Sequence, residues 1–139
     1  MVIIPIEIIK LEDNSFHLMI DVKINNIKSN LIIDTGASRT VFDINQIEDV
    51  CTDVNIVDEQ DSSGINALIS ETKVGYLSKI IFGDLVIENY QCVLLDLAHI
   101  NSIYKKYTDK NIMGLLGGDF LVKYKAVINY RQKTLKLYS

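Results

Sequence analysis

The run Leu31-Ile32-Ile33-Asp34-Thr35-Gly36-Ala37-Ser38 constrains this chain more than any other stretch, because it carries one carboxylate from an apolar segment into a turn of small residues. Leu31 to Ile33 is short, continuous and β-branched, which predicts a strand buried on both faces. Asp34 falls where that strand should stop, and Gly36 permits a backbone path closed to residues with a side chain. An ionised carboxylate beside an apolar strand costs several kcal/mol unless it finds donors, a shared proton or water. Thr35, Ser38 and the turn amides are donors within short reach. An Asx-type turn closing a strand accounts for Asp-Thr-Gly taken alone, so its meaning rests on the remainder of the chain.

In chain order the remainder is mostly strand. Val2 to Lys10 is β-rich, with Pro5 confining it to an edge or a strand start. Glu12-Asp13-Asn14 signals a turn, Phe16 to Ile24 resumes strand character, and Asn25-Asn26 supplies a tight reversal because Asn tolerates positive φ. Ile27 to Ile33 then returns towards Asp34, so the first 34 residues form a meander that aims a carboxylate. Asp43 with Gln46 three residues on makes a capping-box pattern for a short helix. Val54 to Val57 and Ala67 to Val74 read as strands flanking a polar tip around Ser62-Ser63-Gly64, which is a hairpin pattern. Gly75 to Phe82 and Leu85 to Leu95 pair around Gly83-Asp84. Leu97, Ile100, Tyr104 and Tyr107 recur at helical spacing, predicting an amphipathic helix over 97–107. Ile112 to Gly117 is a Gly-bearing apolar strand, Asp119 a cap for a short helix Phe120 to Tyr124, and Ala126 to Tyr130 with Thr134 to Tyr138 a closing hairpin.

Composition narrows the function classes. A chain of 139 residues is the size of one domain, and its formal net charge of -4, with no large basic cluster, excludes nucleic acid as the expected partner. No apolar run reaches the roughly 18 residues that span a bilayer, and the N-terminal segment lacks the basic flank of a signal peptide. The two cysteines, Cys51 and Cys92, and the two histidines, His17 and His99, are far apart and show no metal-ligand spacing. The expectation is a cytoplasmic protein with reduced thiols, without metal, cofactor or membrane contact.

Leu-Ile-Ile-Asp-Thr-Gly-Ala-Ser resembles the active-site loop of aspartic proteases. Leu115-Leu116-Gly117, about eighty residues later, resembles the hydrophobic-hydrophobic-Gly strand that passes beneath that loop. With the chain length and the closing hairpin, the resemblance is to the retropepsin-like, single-lobe branch and its bacterial members, over about Phe16 to Tyr138. It implies an all-β, acid-protease barrel of six to eight strands with a few short helices, residues 1–139 forming one domain. It also implies an aspartic endopeptidase acting on peptide or protein substrates as a homodimer, because one chain supplies only one Asp-Thr-Gly. Asp34 would then be catalytic, Thr35 would lock the two loops by reciprocal hydrogen bonds, and Ser38 would support the loop. Gly36 would donate its amide to the carboxylates and, with Ala37, contact substrate. Ser63, Gly64 and Ile65 would form a flap over an extended peptide. In retroviral members an Arg follows the hydrophobic-hydrophobic-Gly element and pairs with an Asp just past the catalytic turn. Gly118 and Ser38 occupy those places here, so Arg39 and Asp119, one position further on, are expected to pair instead. Two other readings remain open: a catalytically weak dimer that binds extended peptides, and a plain β-barrel interaction domain with Asp34 as a turn former.

Overall fold

The computed structural model describes residues 1–47, 51–57 and 72–139. In chain order the first elements are β1 (Val2–Pro5), β2 (Glu7–Glu12), β3 (Ser15–Ile24) and β4 (Ile27–Ile33). There follow β5 (Val41–Asp43), α1 (Ile44–Ile47), β6 (Cys51–Val57), β7 (Thr72–Phe82) and β8 (Leu85–Leu95). The chain continues with α2 (Ala98–Tyr104), β9 (Ile112–Leu116), α3 (Gly118–Lys123), β10 (Val127–Asn129) and β11 (Thr134–Leu137).

The run of strand residues at the N-terminus divides at Ile6. Pro5 ends β1, which pairs with β11, while β2 pairs with β3 in the main sheet. The Pro ring removes a ladder donor, so the division falls where the backbone can change sheets at no cost in hydrogen bonds. The Asn25-Asn26 reversal takes the expected form, with φ of 48° and 69°. It joins β3 to β4 in unbroken antiparallel register from Leu18–Ile33 to Ile24–Ile27.

The main sheet runs β2-β3-β4-β9-β5-β8-β7-β6, and a further β3–β7 pairing closes six of those strands into a barrel. Most contacts are antiparallel, but β4–β9 and β5–β8 are parallel. Those two parallel pairs bring segments far apart in sequence to either side of the Asp34 loop. A separate sheet of order β1-β11-β10 packs at one end.

The main core gathers Ile20, Leu31, Phe42, Leu77, Phe82 and Leu116 of the barrel strands with Leu135 of β11, all at most 1% exposed. Phe120 joins α3 to this core by stacking between Phe82 and Tyr124, with ring centroids 4.7 and 4.6 Å away. A second, smaller cluster beneath α2 contains Ile9, Leu11, Met19, Ile32, Tyr104 and Ile112.

One buried carboxylate joins these parts. Asp43 is 2% exposed. Its Oδ1 accepts from the Asn45 and Leu97 amides at 3.2 and 3.1 Å, and its Oδ2 from Gln46 Nε2 at 2.7 Å. The expected helix cap is therefore present on the Asn45 amide, but Gln46 reaches the Asp43 carboxylate instead of its backbone. Asn101, also buried, donates to Asp43 Oδ2, and its Oδ1 receives the Ile112 amide at 2.7 Å. This ties α1, α2 and β9 to the end of β5. α2 is correspondingly shorter than the expected 97–107, ending at Tyr104.

Replacing Asp43 by Ala strands the Leu97 amide in the interior and takes one acceptor each from the Asn101 and Gln46 carboxamides, which keep the Ile112 carbonyl. The expected loss is on the order of 3 kcal/mol of stability, read as a lowered urea midpoint, with Asp43→Asn losing less.

Candidate active site

Asp34 stands at the first residue after β4, held from the neighbouring strand. Because β4 and β9 run parallel with Ile32 opposite Leu115 and Ile33 opposite Leu116, the Asp34 amide donates to the Leu116 carbonyl at 2.9 Å. The chain then turns. The Ala37 amide returns to the Asp34 carbonyl at 3.1 Å, and the Gly36 amide donates to Asp34 Oδ1 at 3.0 Å. Gly36 therefore meets the carboxylate of its own loop by its main chain. Thr35 and Gly36 are exposed at the tip of the loop and Asp34 is half-buried, so the carboxylate is both oriented and reachable.

The floor of the loop is the segment after β9. The Gly118 amide donates to the Ala37 carbonyl at 2.8 Å and the Asp119 amide to the Ser38 carbonyl at 3.2 Å. A β-carbon at position 117 would lie 2.6 Å from the Arg39 carbonyl and 2.9 Å from that of Ala37. Contacts so short with backbone atoms leave no room for a side chain. Gly114 is as constrained, its would-be β-carbon 2.5 Å from the Val41 carbonyl oxygen. Leu115 and Leu116 thus run beside the strand that leads into the loop, and Gly117 lies against its backbone.

Thr40 is the residue that the sequence reading passed over. It is 2% exposed, its Oγ1 donates to Asp119 Oδ1 at 2.8 Å and accepts from the Gly117 amide at 2.9 Å. Its own amide also donates to Asp119 Oδ1 at 2.8 Å. Asp119, expected to meet Arg39, has this oxygen engaged by Thr40 and by the Phe120 amide at 2.8 Å. Ser38 contributes its carbonyl to the loop; the hydroxyl bonded to the strand below is that of Thr40. The only local signal for Thr40 was a hydroxyl residue immediately before an apolar strand. Ser63, Gly64 and Ile65, expected as a flap, lie outside the described residues.

Beside the loop a cavity of about 420 Å³ opens against Asp34 and Thr35, its walls including His17, Ile32, Tyr104 and Leu115. Tyr104 is hydrogen-bonded through its hydroxyl to His17 Nδ1. Its phenol is pushed up to about 12, first by burial and then by the negative charge of Asp34. The Tyr90 phenol is also raised to about 12, first by burial and then by the negative charge of Asp119.

Comparison with known proteins is decided by residues 20–120, which match the family model described as aspartyl protease. The chain belongs to the aspartyl protease family. Among curated proteins none matches the sequence. Among solved structures it is similar to a retropepsin-like aspartic protease from Rickettsia conorii, at 17% identity and a TM-score of 0.56, over 99% of this chain and 93% of that one. The retroviral protease-like domain of Ddi1 from Leishmania major aligns at 12% identity and a TM-score of 0.56, covering 87% of each chain. The EIAV protease complexed with the inhibitor HBY-793 aligns at 16% identity and a TM-score of 0.55, over 85% of this chain and 97% of that one. The fold is the retropepsin-like barrel expected from the sequence, and this family member holds its Asp-Thr-Gly in the loop described above.

Two measurements probe this site. Thr40→Val keeps the shape and removes the hydroxyl, leaving the Gly117 amide buried without its acceptor. The expected cost is about 1–3 kcal/mol in a denaturant melt. Tyr90 and Tyr104 hold their protons in the folded state to higher pH than in the unfolded chain. Between about pH 10 and 12 the unfolded state releases protons that the native state retains, so stability falls as pH rises through that window. Urea midpoints from pH 9 to 11.5 should record the fall, and Tyr104→Phe should make it shallower.

Proposed function

We propose that this protein is an aspartic endopeptidase that works as a homodimer, with Asp34 of each protomer facing the other across a twofold axis. The observation that carries the proposal is the presentation of Asp34. A single carboxylate is oriented by the Gly36 amide, fixed by main-chain bonds to residues 116–119, and left half-buried beside the exposed Thr35 and Gly36. A turn former needs neither the glycine-floored support nor the exposure. One such loop is half of a reaction centre, and the identical surface of a second chain supplies the other half.

Two carboxylates brought together cannot both ionise, so the pair shares a proton and its titrations belong to the dyad rather than to one residue. The ionised member takes a proton from water as the water oxygen attacks the scissile carbonyl carbon. The protonated member gives its proton to the carbonyl oxygen. Collapse of the resulting tetrahedral diol breaks the C–N bond: the nitrogen takes up a proton from the dyad while a diol hydroxyl returns one to it, and the shared-proton state is restored. Thr35, exposed at the loop tip, is placed to bond the partner's loop. Gly36 and Ala37 line the path of the substrate backbone. Ser63, Gly64 and Ile65 remain assigned to the flap.

The test is digestion of a peptide library between pH 4 and 8 by wild type and Asp34→Asn, with sedimentation of both. Wild type should sediment as a dimer of 15.7 kDa chains, and the substitution should lower cleavage by on the order of 10^4-fold while leaving the dimer intact. Equal cleavage by the two would remove Asp34 from the chemistry. A dimer that binds the peptides without cleaving them would be the weak binder instead.

A further inference from the structure

The cavity beside Asp34 has a polar feature that catalysis by paired carboxylates does not require. Most of its wall is apolar, and Phe16, Ile103 and Tyr130 stand at 54%, 39% and 66% exposed among its lining residues. Set into that wall are the Tyr104 hydroxyl and the His17 imidazole, hydrogen-bonded to each other, with the rings edge to face at 5.5 Å. Tyr104 comes from the end of α2 and His17 from β3, and the same cavity reaches Asp34 and Thr35.

The hydrogen-bonding capacity of this pair can be counted. If the phenol donates to His17 Nδ1, the imidazole keeps an Nε2–H donor and the phenol oxygen keeps a lone pair. If Nδ1–H donates to the phenol, the phenol keeps its O–H donor and Nε2 becomes the acceptor. With a neutral imidazole, one donor and one acceptor are left over in either tautomer. An apolar cavity of about 420 Å³ with one donor and one acceptor in its wall matches an amphipathic ring whose far end is a hydroxyl.

We propose that this cavity receives the substrate side chain next to the scissile bond, and that His17 and Tyr104 make it select tyrosine over phenylalanine at that position. The proposal rests on the endopeptidase function above and adds its substrate class: extended peptides bearing a tyrosine against the Asp34 loop. A phenylalanine fills the apolar part but leaves the pair without a partner and displaces the water that would otherwise bond it. Discrimination of this kind is set by the unsatisfied polar group, and about tenfold in kcat/KM is expected for a half-open cavity.

The experiment uses the full-length dimer and a set of peptides identical except for Tyr, Phe, Leu or Ala at the position preceding the cleaved bond, with a second set varied at the position following it. Wild type should favour Tyr over Phe about tenfold in one of the two sets. Tyr104→Phe and His17→Leu should each bring the ratio near one, through loss on the Tyr peptide. A merely structural role for the pair would lower kcat/KM for all peptides alike and leave the ratio unchanged, which would overturn the proposal. So would a wild-type ratio of one in both sets. Ile103→Trp, at the exposed rim, gives a second reading should the interior variants not fold. It should depress cleavage of Tyr and Phe peptides while sparing Ala, and uniform behaviour would count against the cavity. If wild type cleaves none of the peptides, the endopeptidase function fails by itself. The selectivity is then read from binding of the same peptides to wild type: tighter binding of Tyr than Phe supports it, and equal or absent binding overturns it.

Discussion

The loop that presents Asp34 depends on the approach of two backbones at Gly117. A side chain there would collide with the carbonyls of Ala37 and Arg39, and the loop could not settle on the segment after β9. With the glycine in place, the amides of residues 118 and 119 reach the carbonyls of residues 37 and 38. The rigidity of the site therefore resides in main-chain bonds between segments about eighty residues apart. Such bonds do not depend on rotamers, so the carboxylate is positioned by parts of the chain that have no softer alternative.

The buried polar groups extend that rigidity outwards. Thr40 links the loop to Gly117 and Asp119, and Asp43, three residues on, links β5 to α1 and α2. Asn101 bonds the Ile112 amide at the start of β9. The strand beneath the Asp34 loop and the helix that carries Tyr104 are thus fixed to each other. The floor of the Asp34 loop and the wall of the cavity beside it form one unit, as the proposed reading of a side chain next to a cleaved bond requires.

The features legible in the sequence were those encoded locally. Asn25-Asn26 announces a reversal whatever the fold, the apolar run 31–33 announces a buried strand, and the glycines of 114–117 announce a close approach. Other features were hidden because their partners lie far away in sequence. Nothing near Ile6 says that the strands on either side of it join different sheets, since that depends on β11. Thr40 and Asn101 look like ordinary polar residues until the fold brings residues 117–119 to one and residues 43 and 112 to the other. Asp43 was visible as a cap but not as a junction. The predicted helix at 97–107 overran its end because Tyr107 continues the apolar spacing although its side chain is 42% exposed.

The sheet of β1, β11 and β10 carries a consequence for how the molecule is made. Val2 lies opposite Leu137, so this pairing closes nearly the whole chain into a loop. β3 and β4, by contrast, meet across two asparagines. Closing a long loop costs more entropy than closing a hairpin, and contacts of large sequence separation are gained slowly. The meander that aims Asp34 can form early and locally. Its floor must wait for residues 112–119, and the terminal sheet waits longer still. On loop entropy alone, the turn that carries the carboxylate is expected to form before the segment beneath it arrives.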